Sequence, residues 1–142
     1  MKKVVIIDGQ GGRMGRALVE EIQKLCPGQP LLALGANTTA TAAMMKAGAA
    51  MGATGENPVL VACRDAAILA GPIGILMADA LMGEITPAMA VAVGPRRAPK
   101  VLLPAHSKFG QLVVGGRDLT PSQITDEEAE DLREAYGLAA QH

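Results

Sequence analysis

The sequence predicts an α/β fold in which a mostly parallel sheet is covered by helices on both faces. Three observations carry that expectation. Val4 to Asp8 is a short apolar run that ends in a glycine-rich turn, Gly9 to Gly15, and passes directly into Leu18, Val19, Ile22 and Leu25 at helical spacing. Most other strand candidates are also continuous apolar runs and not alternating ones, the pattern of strands covered on both faces. Helical stretches separate several of them, which is the order that makes neighbouring strands parallel.

Along the chain, strands are expected at Val4 to Asp8, Leu31 to Leu34, Val59 to Ala62, Ala67 to Ala70, Val101 to Leu103 and Leu112 to Val114. Helices are expected at Met14 to Leu25, Thr39 to Ala49, Ile75 to Met82, Pro87 to Val93 and Asp126 to Tyr136. Thr86 before Pro87 reads as a cap followed by a first turn, and Gly94 with Pro95 as a stop. Thr125 and Glu128 form a capping box, and Gly137 closes the last helix. Ala66 to Gly94 is long enough to span a membrane, but Asp79, Glu84, Gly71, Pro72, Gly83 and Pro87 interrupt it. A buried strand followed by two short helices accounts for it better.

The chain has 142 residues, enough for one domain over 1–142. A single Rossmann-like three-layer unit fills that length. With one Phe, one Tyr and no Trp, its core must be built from Ala, Val, Leu, Ile and Met, and it has no aromatic platform for single-stranded nucleic acid. A net charge of −1 with scattered basic residues excludes both a nucleic-acid footprint and a polybasic membrane patch. Cys26 and Cys63 have no paired spacing, and Met-Lys-Lys runs straight into a strand too short for a signal peptide's apolar region. A cytoplasmic protein with reduced thiols is therefore expected. His106 and His142 lie far apart and neither cysteine belongs to a ligand cluster, so no metal site is expected. Neither a Walker loop nor a Gly-x-Ser-x-Gly elbow is present.

The chemistry concentrates in Gly9, Gln10, Gly11, Gly12, Arg13, Met14 and Gly15, a GxxGxxG register between strand and helix. Gly9 suits a tight turn, Gly12 a backbone approach to a pyrophosphate, and Gly15 a helix packed closely on its sheet. Free amides of the helix's first turn and its positive dipole end would receive the anion. The plain alternative is a turn that binds nothing. Four glycines in these seven residues carry an entropy cost that a plain turn does not require, which favours the cofactor reading.

The segment GQGGRMGR, Gly9 to Arg16, resembles the phosphate loop of dihydrodipicolinate reductase, and the resemblance extends to about Leu25. It implies a nicotinamide dinucleotide with Arg13 near phosphate. It does not bring that family's activity, because the family's substrate site lies in a second domain with a histidine-rich motif that nothing after Gly115 supplies. Asp8 departs from the pattern, since a carboxylate there opposes a pyrophosphate unless it is turned away or paired with Arg13. The whole chain resembles a small bacterial family of uncharacterised function through DGQGG (Asp8 to Gly12), GATGENP (Gly52 to Pro58), GPIGI (Gly71 to Ile75) and GEITPAMAVAVG (Gly83 to Gly94). That resemblance implies a self-contained fold and no particular reaction.

Ligands of open parallel sheets sit at the carboxyl ends of the strands. Besides the glycine turn, this places Gly35 to Thr38, Gly71 to Gly74 and Pro104 to Lys108 around the site. The second strand ends in Gly35, Ala36, Asn37 and Thr38, with no carboxylate for ribose hydroxyls and no arginine for a 2′-phosphate. Asn37, Thr38, Thr39 and Thr41 are donors that lean the choice between NADP and NAD toward NADP. Alternatively, Asn37 makes a turn and a threonine caps the next helix. Gly71, Pro72 and Gly74 either let the cofactor's second half lie against backbone or form a structural turn.

Glu84, a lone carboxylate in an apolar segment, is a candidate acid or base, or else faces water near a helix's positive end. His106 is the other candidate acid or base, or an ordinary loop residue. Glu56 and Asn57 are expected to shape the turn before Pro58. The leading functional expectation is a protein that binds NADP or NAD, an oxidoreductase if the site is catalytic. Its rival is a nucleotide-binding sensor or accessory protein that catalyses nothing. A weaker third is a structural subunit with no nucleotide. A homodimer would complete the site, with Ile75 to Val93 as its candidate interface.

Overall fold

The computed structural model describes residues 2–104. Five strands form one sheet: β1 (Val4–Asp8), β2 (Leu31–Gly35), β3 (Met51–Thr54), β4 (Ile68–Pro72) and β5 (Lys100–Leu103), in the order β3-β2-β1-β4-β5. Every neighbouring pair is parallel. Four α-helices accompany them: α1 (Arg13–Leu25), α2 (Thr38–Ala47), α3 (Glu56–Ala62) and α4 (Pro87–Val93).

The alternation of side chains along β1 explains the layers. Val4 and Ile6 point to one face, where Leu18, Val19 and Ile22 of α1 and Met44 of α2 complete a core. Val5 and Ile7 point to the other, against Val59 of α3 and Met89 and Val93 of α4. All five residues of β1 are buried, as a central strand covered on both faces requires. This is the expected three-layer, Rossmann-like α/β architecture. Successive strands run outward from β1 to β3, and the chain then returns to place β4 on the other side of β1. The order therefore reverses between β1 and β4.

Two expected elements are corrected. Val59 to Ala62 is not a strand but the second half of α3, and Pro58 fits that helix because it lies in the first turn, where no intrahelical amide bond is lost. Val59 and Ala62, one turn apart, are its buried face. The strand of this region is instead Met51–Thr54, an edge strand with mostly exposed side chains that leaves no apolar run to read. Gly52 and Thr54 of the GATGENP segment thus belong to the strand, with Gly55 as the cap of α3.

Ile75 to Met82 is not a helix either. A short 3-10 helix spans Ile73–Leu76, and then Asp79, Leu81 and Met82 adopt φ of 66°, 55° and 57°, which a right-handed helix does not allow. In the region named as a candidate interface, Ile75, Ala80, Ile85, Met89 and Val93 lie in the chain's own core. Leu112 to Val114, Asp126 to Tyr136 and the Thr125–Glu128 capping box lie outside the described residues. Among the described residues, no helix is long and apolar enough to cross a membrane.

The cap read at Thr86 is formed, its hydroxyl accepting from the Met89 amide at 3.1 Å, with Pro87 following. Thr86→Ala is expected to lower stability by about 1 kcal/mol, read as a lower urea midpoint at unchanged slope.

Candidate functional site

The glycine turn leaves β1 beside the point where strand order reverses. Gly12 is the residue before α1, at φ 72°, and it has no side chain with which to cap the helix. Asp8 performs that task from the end of the strand. Its two carboxylate oxygens accept from the Gly9 and Gly15 amides, each at 2.7 Å. The Asp8 carboxylate is thus turned into the base of α1 and is not paired with Arg13. Arg13 is exposed, and the ion pairs among the described residues are Lys3–Asp65, Arg16–Glu20 and Lys24–Glu21. Asp8 is only 5% exposed, and burial pushes its pKa up to about 6. The two amides pull the value down, and the charge of Glu84 adds a smaller upward push.

The glycines divide their work differently from the expectation in one respect. A Cβ on Gly15 would stand 2.5 Å from Met44 Sδ and 2.9 Å from Asp8 Cβ, so this residue permits close helix-to-strand packing, as read. Gly12 faces α2, where a Cβ would meet Ala40 Cα at 2.8 Å and the Ala40 carbonyl at 2.9 Å. The open position is Gly11, with nothing within 4 Å. Around it, Gly12 N donates to the Gly9 carbonyl, whereas the amides of Arg13 and Met14 in the first helical turn have no acceptor within the helix. A cavity of about 270 Å³ lies along the same helix, lined by Arg13, Arg16, Ala17 and Glu20.

On its other side the turn meets Glu84. One Glu84 oxygen accepts from the Gln10 amide at 2.7 Å and the other from Asn37 Nδ2 at 2.5 Å. Asn37 Nδ2 also donates to the Gln10 carbonyl at 2.9 Å, and Asn37 Oδ1 accepts from the Ala40 amide at 2.8 Å, so Asn37 itself caps α2. Thr41 bonds Asn37 O, Ala53 O and Thr54 Oγ1, while Thr38 and Thr39 are exposed. Leu81 and Glu84 both lie against Gly9, at 3.0 and 3.2 Å from the position of a Cβ there.

The structure therefore gathers Gly9, Gln10, Asn37 and Glu84 at the ends of β1 and β2. Gly35 serves packing, since a Cβ there would stand 2.2 Å from Thr41 Oγ1. Gly71 serves the sheet, 2.3 Å from the Ile7 carbonyl on the same measure. Pro72 ends β4, and Gly74 is buried in the 3-10 helix. His106 lies outside the described residues. The bridge from Glu84 to Gln10 and Asn37, across 74 and 47 residues, was not read from the sequence. Its only signal there is a lone carboxylate in an apolar segment. Among the described residues, no three His, Cys, Asp or Glu side chains are grouped to hold a metal ion.

A family model described as a domain of unknown function (DUF3842) matches residues 3–136. No curated protein and no solved structure matches the chain. The family match spans most of the chain, and none of the comparisons links the chain to dihydrodipicolinate reductase.

Proposed function

The chain belongs to the DUF3842 family, whose description assigns no activity, and from the site itself we propose that it binds a nicotinamide dinucleotide, NADP or NAD, on the Gly9 to Gly15 turn. The observation that carries this reading is the position of the turn. It leaves the central strand where strand order reverses, the place at which open parallel sheets bind nucleotides, and it opens directly into a helix. Gly11 leaves room for a phosphate to approach backbone. The first-turn amides of Arg13 and Met14 and the guanidinium groups of Arg13 and Arg16 supply positive potential on that side.

Binding without turnover is favoured over oxidoreduction by one observation. Both carboxylates that flank the turn are engaged in the scaffold, Asp8 with two amides and Glu84 with Gln10 and Asn37. A general acid or base must instead be in reach of a substrate proton. The protein is accordingly read as a nucleotide-binding sensor or accessory protein, with oxidoreduction as the alternative.

Gly11→Asp tests the site more cleanly than any change at Gly12, because its side chain enters open space and its charge opposes a phosphate. A dinucleotide at a hundredfold over its Kd should stabilise the natural protein by about 2.7 kcal/mol. The variant should keep the unliganded melting temperature and lose the ligand-induced shift. Absence of a shift in natural protein shown to be free of nucleotide, with NAD, NADH, NADP and NADPH alike, would overturn the reading.

A further inference from the structure

We infer that Glu84 selects an unphosphorylated ribose, so that the nucleotide held here is NAD(H) and not its 2′-phosphorylated counterpart; this rests on the dinucleotide reading. In this architecture the adenosine ribose lies at the carboxyl end of the second strand, where a carboxylate accepts from its hydroxyls. The end of β2 offers no acid of its own between Gly35 and Thr38. The structure brings one from the connection between β4 and α4. Glu84 stands between the first residue after Gly9 and the second residue after β2, bonded to the Gln10 amide at 2.7 Å and to Asn37 Nδ2 at 2.5 Å.

Of the four donors that would favour a 2′-phosphate, Asn37 and Thr41 are already engaged, and Thr38 and Thr39 are exposed. Both amide hydrogens of Asn37 have acceptors, the Gln10 carbonyl and Glu84, and the Thr41 hydroxyl lies among Asn37 O, Ala53 O and Thr54 Oγ1. None of the ion pairs among the described residues includes Glu84, so no cation among those residues is bonded to it. Each Glu84 oxygen takes one protein hydrogen bond and retains capacity for a second, which suits a diol. A 2′-phosphate would bring a second anion against this carboxylate, an arrangement that costs free energy in a partly buried site.

The test is titration of the natural protein, Glu84→Gln and Glu84→Ala with NADH and with NADPH, followed by cofactor fluorescence. The natural protein is expected to bind NADH more tightly by at least about tenfold, and both variants to narrow that ratio by a similar factor. Because the ratio compares two ligands on one protein, partial loss of folded variant cancels, and the natural protein's own ratio decides even if neither variant folds. Equal affinity, a preference for NADPH, or a ratio unchanged in both variants would overturn the assignment while leaving the dinucleotide reading intact. So would equal tightening of both ligands in Glu84→Ala, which would make Glu84 a plug over the turn. Failure of both ligands to bind the natural protein would overturn the dinucleotide reading, and this assignment with it.

Discussion

Gly12→Ala is expected to destabilise the protein by about 3 kcal/mol, although it adds only a single methyl group to a turn. Two costs combine. At φ 72° an L-residue loses roughly 1 to 2 kcal/mol relative to its ordinary conformations. The added carbon would also lie 2.8 Å from Ala40 Cα and 2.9 Å from its carbonyl oxygen. These are backbone atoms of α2, whose start is fixed by the Asn37 cap, so relief requires moving one helix away from another. Gly11→Ala, one residue earlier, meets nothing within 4 Å and should change stability by no more than about 0.5 kcal/mol. Urea denaturation of the pair, with midpoints compared at constant slope, measures the contrast. A Gly12→Ala midpoint close to that of Gly11→Ala would show that the backbone relaxes at position 12 and that the contact between α1 and α2 yields.

That contrast shows what the sequence made legible and what it did not. Elements defined by their own residues were readable. β1, β2, β4 and β5 are short apolar runs, α1 has helical periodicity, and α4 carries Thr86, Pro87 and Gly94 at its ends. The turn was readable as strand, glycines and helix for the same reason. Elements defined by distant partners were not. β3 is a strand because Ala50 and the residues after it pair with β2, and its exposed Met51 and Thr54 give no burial pattern. The run Val59 to Ala62 fits a buried strand or a buried helix equally until its neighbours are known. The segment from Asp79 to Met82 leaves the helical region through left-handed residues whose side chains are poor indicators of that conformation. Glu84 reached the site through hydrogen bonds to residues far away in the chain, and the function of Gly12 depended on how closely α2 approaches.

Asp8 is expected to make the protein less stable as pH rises from about 4 to about 6, opposite to the usual behaviour of a paired carboxylate. Its pKa is raised from 3.8 to about 6 chiefly because burial disfavours the charged form, and the two amides at 2.7 Å only partly offset this. Between those values the folded protein holds a proton that the unfolded chain has released. The group's contribution is therefore fully present below pH 3.8, declines through the window and is lost above the folded value. At about 1.4 kcal/mol per unit, the change amounts to about 3 kcal/mol. Asp8→Asn isolates it. The neutral amide presents an N–H₂ group to one of the two backbone donors, a cost of about 1 to 3 kcal/mol that does not vary with pH. The stability of the natural protein minus that of the variant should therefore fall by up to about 3 kcal/mol between pH 4 and 6, then level off. A difference that stays flat would mean that the carboxylate is ionised throughout and that the amides outweigh its burial. A falling difference would identify Asp8 as a cap kept at an energetic disadvantage above pH 6, where its negative charge at the base of α1 offsets part of the positive potential that the proposed site offers a phosphate.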